Sequence, residues 1–201
     1  MNIAIFFMKY NQNCFVRLFK KIYLKLFLRS NSKRIQYLRK SGAKIGTNCN
    51  IASVEILGSE PYLVEIGDNV YFSGCNVKLL THDGGTMQLS YMGLTDKKYD
   101  NFGKIKIGNN CFIGVESIIL KNVTIGNNCI IGAGAIVTKS IPDNCVVAGV
   151  PAKIVCSVEE YYEKNKNMYD DTVGWNRYKK FKYIEQNIDK YEQRRIEREI
   201  K

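Results

Sequence analysis

Aliphatic side chains recur at every sixth position through much of the chain. The clearest series is Ile107, Ile113, Ile119, Ile125, Ile131 and Val137. An α-helix has a period of 3.6 residues and a strand a period of two, so neither gives this spacing. Hexapeptide repeats are typical of β-helices, whose coils are built from short strands. The pattern therefore predicts a parallel β-helix with these side chains in its interior.

The repeat also predicts the size of a coil. Three hexads make one triangular coil, so 18 residues should return the chain to the same face. The sequence IGNNC occurs at 107–111 and again at 125–129, 18 residues later. The same phase appears upstream at Ile45, Ile51, Ile66 and Phe72. We expect the coils to stack and to bury one continuous apolar column.

The six-residue period stops between about residues 79 and 104, where we predict an excursion loop. This segment contains His82, the only histidine in the chain. An unperturbed imidazole has a pKa of about 6.5, which suits proton transfer near neutral pH. A lone histidine is more often a surface or structural residue. Its position in the long loop of a repeat scaffold favours a catalytic role here.

The net charge of +11 arises from the N-terminal arm, residues 1–44, which holds eleven Lys and Arg and no acidic residue. The segment 14–30 mixes these basic residues with Phe, Leu and Ile. One interpretation is a helix that packs its apolar side on the body or on a neighbour. Another is an interfacial helix whose basic face contacts anionic lipid. No nucleic-acid-binding module accompanies the charge, so nucleic acid is not an expected partner.

No apolar run reaches the length of about 18–20 residues that spans a bilayer. The start of the chain lacks the features of a signal peptide. We therefore expect a cytoplasmic protein, held peripherally at the inner face of the cell membrane if the arm binds lipid.

Three of the seven cysteines, Cys49, Cys111 and Cys129, share one hexad position that otherwise holds small residues. We expect small inward-facing thiols in a reducing compartment and no disulfide framework. No Cys or His spacing matches a zinc site, so no metal is expected.

Residues 157–201 are charged and helix-prone. Phe181, Ile184, Ile188 and Tyr191 stand at helical spacing. This predicts a C-terminal helical extension, with a helix laid against a coil face or a neighbouring subunit. The expected domains are the arm 1–44, the β-helix 45–156 and the extension 157–201.

Three features together resemble the hexapeptide-repeat acyltransferases. They are the hexads, the sequence THD at 81–83 in the excursion loop, and the closing run IGAGAIVTKSIPDNCVVAGVPAKI at 131–154. The closing run is most similar to the branch of maltose, galactoside and xenobiotic acetyltransferases. The loop sequence THDGG is most similar to acetyltransferases of surface polysaccharides.

The resemblance covers about residues 45–156 and implies an all-β fold, a left-handed parallel β-helix. It also implies acetyl-CoA as the acyl donor, and a homotrimer with active sites between subunits. In the family, a histidine deprotonates the acceptor and the acetyl group passes directly to it, a role that falls to His82. The group that orients His82 stays open among Asp83, a backbone carbonyl and a carboxylate of a partner chain. Asp83 is equally a candidate for contact with the acceptor.

The resemblance also implies which residues bind the donor, acetyl-CoA. Val115 and Ala133 match the corners that bind the pantetheine arm, while Thr138, Lys139 and Lys153 match positions near the phosphates. A further basic residue is expected where this chain has Cys156.

The expected function is acetyl transfer to a saccharide hydroxyl. An antibiotic hydroxyl and an amino-sugar nitrogen are the alternative acceptors. A related zinc enzyme needs three histidines, and a serine acetyltransferase needs a larger N-terminal domain. A trimeric scaffold without activity would leave the closing run unexplained.

Overall fold

The structure is a computed structural model that describes residues 28–199. The chain divides into two compact units, Met1–Val158 and Glu159–Lys201.

Short strands form the first unit. They are β1 (Lys44–Ile45), β2 (Val64–Ile66), β3 (Tyr71–Phe72), β4 (Lys78–Leu80), β5 (His82–Asp83), β6 (Asn101–Phe102), β7 (Ile105–Ile107), β8 (Phe112–Ile113), β9 (Ile118–Leu120), β10 (Thr124–Ile125), β11 (Ile130–Ile131), β12 (Ile136–Val137), β13 (Cys145–Ala148) and β14 (Lys153–Ser157).

Three sheets make the faces of a prism, with strand orders β1-β2-β7-β10, β14-β13-β11-β8-β3 and β12-β9-β4. Every pairing within them is parallel except that between β13 and β14, where the chain turns back. From β7 to β13, each strand lies in a different sheet from the strand before it, so the chain winds from face to face. The predicted parallel β-helix is confirmed.

The register confirms the 18-residue coil. Ile107 pairs with Ile125, Ile113 with Ile131, and Ile119 with Val137. All six side chains are at most 1% exposed. Full burial of an aliphatic side chain contributes about 1.5–3 kcal/mol, so the interior column is the main source of stability.

One corner of the prism is built on asparagines with positive φ, a conformation that Asn tolerates better than most residues. Four side-chain hydrogen bonds join successive asparagines there, each from Nδ2 of one residue to Oδ1 of the asparagine in the next coil, at 2.8–2.9 Å. This asparagine ladder comprises Asn48, Asn69, Asn110, Asn128 and Asn144. It connects the coils of the first unit at their polar edge.

The residues just before the asparagine ladder accept backbone hydrogen bonds from the coil below. Asp68 Oδ1 accepts from the Thr47 N–H at 2.5 Å and from Thr47 Oγ1 at 2.8 Å. Asn109 holds the same position one coil later, and its Oδ1 accepts from the Asp68 N–H at 2.8 Å. The bonds from Thr47 hold the pKa of the Asp68 carboxyl below its usual value.

Three cysteines that directly follow ladder residues are buried, as their hexad position predicts: Cys49, Cys111 and Cys129. Cys49 Sγ donates to the Gly67 carbonyl at 3.1 Å, and Cys111 Sγ donates to the Gly126 carbonyl at 3.1 Å. Burial raises the pKa of the Cys49 thiol. The six cysteines among the described residues are free thiols, and the three buried ones pack in the core.

Helix α1 (Asn31–Lys40) covers the N-terminal end of the prism. Its Leu38 is 2% exposed and belongs to the core. Arg34 Nε donates to the Ile51 carbonyl at 2.6 Å, and Arg39 Nε to the Ile45 carbonyl at 3.0 Å. Two of the basic residues of the arm therefore cap the first coil. Most of the segment 14–30 lies outside the described residues, so its lipid contact stays a prediction.

The C-terminal helices are α3 (Val158–Asn165), α4 (Arg177–Gln186) and α5 (Ile188–Glu199), and a short helix, α2 (Gln88–Tyr91), lies in the first unit. The sequence predicted helical structure here from Phe181, Ile184, Ile188 and Tyr191, and these residues lie in α4 and α5. The two helices are separated at Asn187, whose N–H bonds to the Ile184 carbonyl. None of the helices within residues 28–199 is long and apolar enough to cross a membrane.

One carboxylate organises the second unit. Asp170 accepts hydrogen bonds from Lys190, Tyr191 and Arg194 of α5 and from Tyr183 of α4. The bonds from Lys190 and Arg194 hold its pKa well below the usual range. The predicted docking of this extension on a coil or a neighbour stays a prediction.

Candidate active site

The excursion loop leaves the coils after β4 and rejoins them at β7, where the sequence predicts an interruption. Its two ends, β5 and β6, pair antiparallel, with His82 opposite Phe102. A 3₁₀ turn at Gly84–Met87 and helix α2 form the outer part of the loop. The loop therefore begins and ends as a short two-stranded ribbon, and His82 lies at its base.

Glu60 holds the imidazole of His82. Its Oε2 lies 2.9 Å from His82 Nδ1 and accepts a hydrogen bond from Thr81 Oγ1 at 2.6 Å. The side chain of Glu60 is 13% exposed, whereas that of His82 is 49% exposed. An ionised carboxylate can only accept, so Nδ1 must carry the proton of the neutral ring. Nε2 then has a free lone pair, as a general base requires.

The environment of Glu60 keeps its carboxylate ionised. Burial opposes ionisation, but hydrogen bonds from Thr81, Ser59 and His82 outweigh it, so the pKa of Glu60 lies below its usual value. Glu60 is therefore negative at neutral pH and stabilises a positive charge on the imidazole.

Glu60 reaches this position from an irregular part of the first coils. Two 3₁₀ turns, Val54–Leu57 and Pro61–Leu63, replace regular strands there, and Glu60 immediately precedes the second. Sequence reasoning missed this residue because the six-residue period fails around it. The one available signal was a carboxylate in an irregular stretch of the scaffold, 22 residues before His82.

Asp83 does not orient His82. Its Oδ1 accepts from the Gly85 N–H at 2.9 Å and caps the 3₁₀ turn of the loop. Of the groups left open by the sequence, none is the observed partner, which is a carboxylate of the same chain. A contact between Asp83 and the acceptor stays a prediction.

No group of three His, Cys, Asp or Glu side chains that could hold a metal is present within residues 28–199.

Val115 and Ala133 occupy the same corner in adjacent coils. Ile113 pairs with Ile131, and the Gly134 N–H donates to the Val115 carbonyl at 2.9 Å. Both Val115 and Ala133 are exposed. The structure thus brings these two predicted donor-binding residues together.

Thr138, Lys139 and Lys153 are also exposed, and they lie near the end of β12. Thr138 and Lys139 follow this strand directly. The Ile136 carbonyl accepts from the Ala152 N–H at 2.9 Å, which brings Lys153 beside the same strand. The three residues therefore share one region of the prism.

The excursion loop departs from the corner that holds Lys139. Leu79 of β4 pairs with Ile119 of β9, which pairs with Val137 of β12. The register therefore places Thr81 two coils from Lys139. Neighbouring strands lie about 4.8 Å apart, so the two positions are about 10 Å apart along the prism.

Known proteins share both the repeats and the fold. Residues 104–139 match the bacterial transferase hexapeptide (six repeats) model. The chain is also 46% identical over 174 residues to Protein CapG of Staphylococcus aureus, a match that covers 84% of this chain and 92% of that protein. This chain belongs to the bacterial hexapeptide-repeat transferase family.

Two solved structures resemble this hexapeptide-repeat transferase. A maltose O-acetyltransferase from Clostridium difficile 630 is 25% identical with a TM-score of 0.53, and the match covers 78% of this chain and 89% of that one. A galactoside acetyltransferase in complex with coenzyme A is 24% identical with a TM-score of 0.51, over 80% of each chain, and supports the fold. The predicted family, the left-handed β-helix and the enzyme class, an acetyltransferase of the hexapeptide-repeat type, are confirmed.

Proposed function

We propose that this hexapeptide-repeat acetyltransferase moves the acetyl group of acetyl-CoA to a hydroxyl of a saccharide. The observation that carries the proposal is the pair of Glu60 and His82 at the base of an open loop, 2.9 Å apart. It supplies a base with a defined free nitrogen. The similarity to a maltose O-acetyltransferase and the loop sequence THDGG support a saccharide acceptor.

The reaction follows from the tautomer of His82. The acceptor O–H gives its proton to Nε2 as the oxygen attacks the thioester carbonyl. Glu60 stabilises the imidazolium that forms. The carbon–sulfur bond then breaks, and the proton on Nε2 passes to the leaving thiolate to give CoA and the acetyl ester. A positioned base of this kind contributes about 10²–10⁴-fold in rate.

The donor would lie along the exposed edges of the prism. Val115 and Ala133 offer backbone groups for the pantetheine arm. Thr138, Lys139 and Lys153 would contact the phosphates, and the lysines would act as flexible point charges.

Substitution of the base tests the proposal directly. His82→Ala should lower turnover by about 10²–10⁴-fold in a thiol-release assay with acetyl-CoA and a panel of sugars. Acetyl-CoA should raise the melting temperature of the variant as it does that of the wild type, since a ligand that binds only the native state stabilises it. Unchanged turnover in His82→Ala would overturn the base assignment. Antibiotic and amino-sugar acceptors in the same panel would reveal the alternative substrates.

A second experiment tests the donor site. Lys139→Ala and Lys153→Ala should each reduce the melting shift produced by acetyl-CoA. Lys106→Ala is the matched control, because Lys106 is an exposed lysine on the outer face of the first sheet. Equal shifts in all three variants would contradict phosphate contact by Lys139 and Lys153.

The wider arrangement is part of the same proposal. The active enzyme would be a homotrimer with each site between two subunits. It would act in the cytoplasm, and residues 1–44 would hold it at an anionic membrane surface.

A further inference from the structure

Phe102 lies directly across the loop ribbon from His82. The Gly103 N–H donates to the Thr81 carbonyl at 2.8 Å, so the pair flanking His82 and Phe102 is the hydrogen-bonded one. His82 and Phe102 therefore form a non-hydrogen-bonded pair, in which cross-strand side chains approach most closely. Their ring centroids are 6.1 Å apart, and the planes meet at 65°.

The backbone holds Phe102 in place from both sides. Thr86 Oγ1 donates to the Tyr99 carbonyl at 2.7 Å, which ties the returning strand to the outer loop. On the other side, Gly103 packs closely against the amide group of Asn122, and a Cβ at Gly103 would clash with that group. Phe102 is nevertheless 50% exposed. A fixed apolar surface thus lies beside the catalytic base and is open to solvent.

We infer that Phe102 is the platform on which the ring of the acceptor sugar lies. The inference rests on the proposed function, and it narrows the acceptor to a saccharide in cyclic form. One face of a pyranose presents C–H groups, which pack on an aromatic ring, while its hydroxyls project around the rim. Binding sites combine such apolar contact with a few placed polar groups, and the contact fixes orientation.

The position of the base agrees with this arrangement. Nδ1 of His82 is hydrogen-bonded to Glu60, so only Nε2 is available to a hydroxyl of the acceptor. A ring stacked on Phe102 would bring a rim hydroxyl to the neighbouring imidazole. An acyclic polyol has hydroxyls but no flat apolar face, so it would gain nothing from Phe102.

Steady-state kinetics of Phe102→Ala test the inference. The probes are acetyl-CoA with methyl pyranosides, and acetyl-CoA with the acyclic polyol sorbitol. The KM for the pyranosides should rise at least tenfold, while the KM for acetyl-CoA and the activity on sorbitol stay within twofold. Phe102→Trp keeps an aromatic ring at this position, so its KM for the pyranosides should stay close to that of the wild type. Leu94→Ala is the control, because Leu94 is an apolar residue of the same loop that is 74% exposed.

Several outcomes would overturn the inference. One is an unchanged pyranoside KM in Phe102→Ala, and another is an equal loss on sorbitol. A fall in kcat alone would show that Phe102 merely supports His82. A lower melting temperature in Phe102→Ala but not in Leu94→Ala would point to structural damage, and Phe102→Trp must then keep both stability and KM for the inference to stand.

Direct binding separates this inference from the proposed function. Saturation-transfer NMR measures contact between methyl pyranosides and the protein without turnover. If the wild type acetylates no saccharide, the proposed function fails on that result. Pyranoside contact that is lost in Phe102→Ala would still support the platform, and contact that is absent or unchanged would overturn it.

Discussion

Nδ1 of His82 lies 2.9 Å from Oε2 of Glu60, a residue that precedes it by 22 positions. The carboxylate therefore comes from the coiled scaffold and the imidazole from the loop. Thr81 bonds to the same oxygen and ties the start of the loop to Glu60. The imidazole is therefore held at the point where the loop departs, independently of the contacts in the outer part of the loop.

The tautomer of His82 is directly measurable, because the chain has a single histidine. In ¹⁵N-histidine-labelled protein at pH 8, NMR should show Nδ1 protonated and Nε2 unprotonated. Glu60→Ala removes the acceptor, so this preference should weaken and kcat should fall at least tenfold. Glu60→Gln keeps an acceptor oxygen but loses the charge, so its kcat should lie between the two. The same tautomer preference in Glu60→Ala and the wild type would contradict the role given to Glu60.

Asp68 should make stability depend on pH. Its hydrogen bonds from Thr47 lower its folded pKa below the ordinary value of 3.8. The stabilisation is therefore fully present above that ordinary value and is lost as pH falls through the lowered one. Asp68→Ala should lower the melting temperature at pH 7, and the difference from wild type should shrink below about pH 4.

Asp68→Asn is the matched control for Asp68→Ala, because the fold already has an asparagine at the equivalent position. Asn109 occupies the same position one coil later and accepts the same kind of bond. Asp68→Asn should therefore keep the acceptor oxygen and remove the pH dependence. A melting-temperature difference between Asp68→Ala and wild type that is constant from pH 7 to pH 3 would refute this account.

Gly103 should be required for the geometry of the loop. A Cβ at this position would clash with the amide group of Asn122, so in Gly103→Ala either that side chain or the returning strand must shift, and we expect the strand to move. Turnover should fall at least tenfold, with acetyl-CoA binding by thermal shift unchanged. Asn122→Gly removes the obstructing side chain, and glycine accepts the φ of 63° found there. The double variant should recover most of the activity, and failure to do so would show that Asn122 is not the obstacle.

The scaffold could be predicted from sequence because each coil repeats the same demand for an inward aliphatic residue. Ile107 and Ile125 occupy the same hexad position in successive coils, and both side chains are buried in the interior column. The place of the excursion loop followed from the loss of that phase.

The partner of His82 could not be predicted because no local pattern encodes it. Glu60 lies between two 3₁₀ turns, and its bond to His82 depends on how two non-repeating segments meet in space. The position of Phe102 beside His82 could not be predicted for the same reason, since their pairing spans the whole loop.

Near the two ends of the chain, sequence patterns predicted the kind of structure but not its details. Phe181 and Ile188 fit one helix by spacing, but the break falls at Asn187, where the backbone leaves the helical conformation. Charge counting placed Arg34 and Arg39 in a basic arm, whereas both bind carbonyls of the first coil. Spacing and charge predicted a helical or basic character for these residues, but they did not predict which groups the residues would bond to.

The asparagine ladder and the interior column share one repeat, and this restricts how the gene can change in length. Loss of a single codon between residues 107 and 137 would turn interior side chains outward and misalign the amides at the corner. Loss of residues 107–124 would instead join Lys106 to Ile125 in the register that Lys106 and Thr124 already share. We therefore expect the scaffold to accept insertions and deletions in this part of the chain only as whole coils of 18 residues.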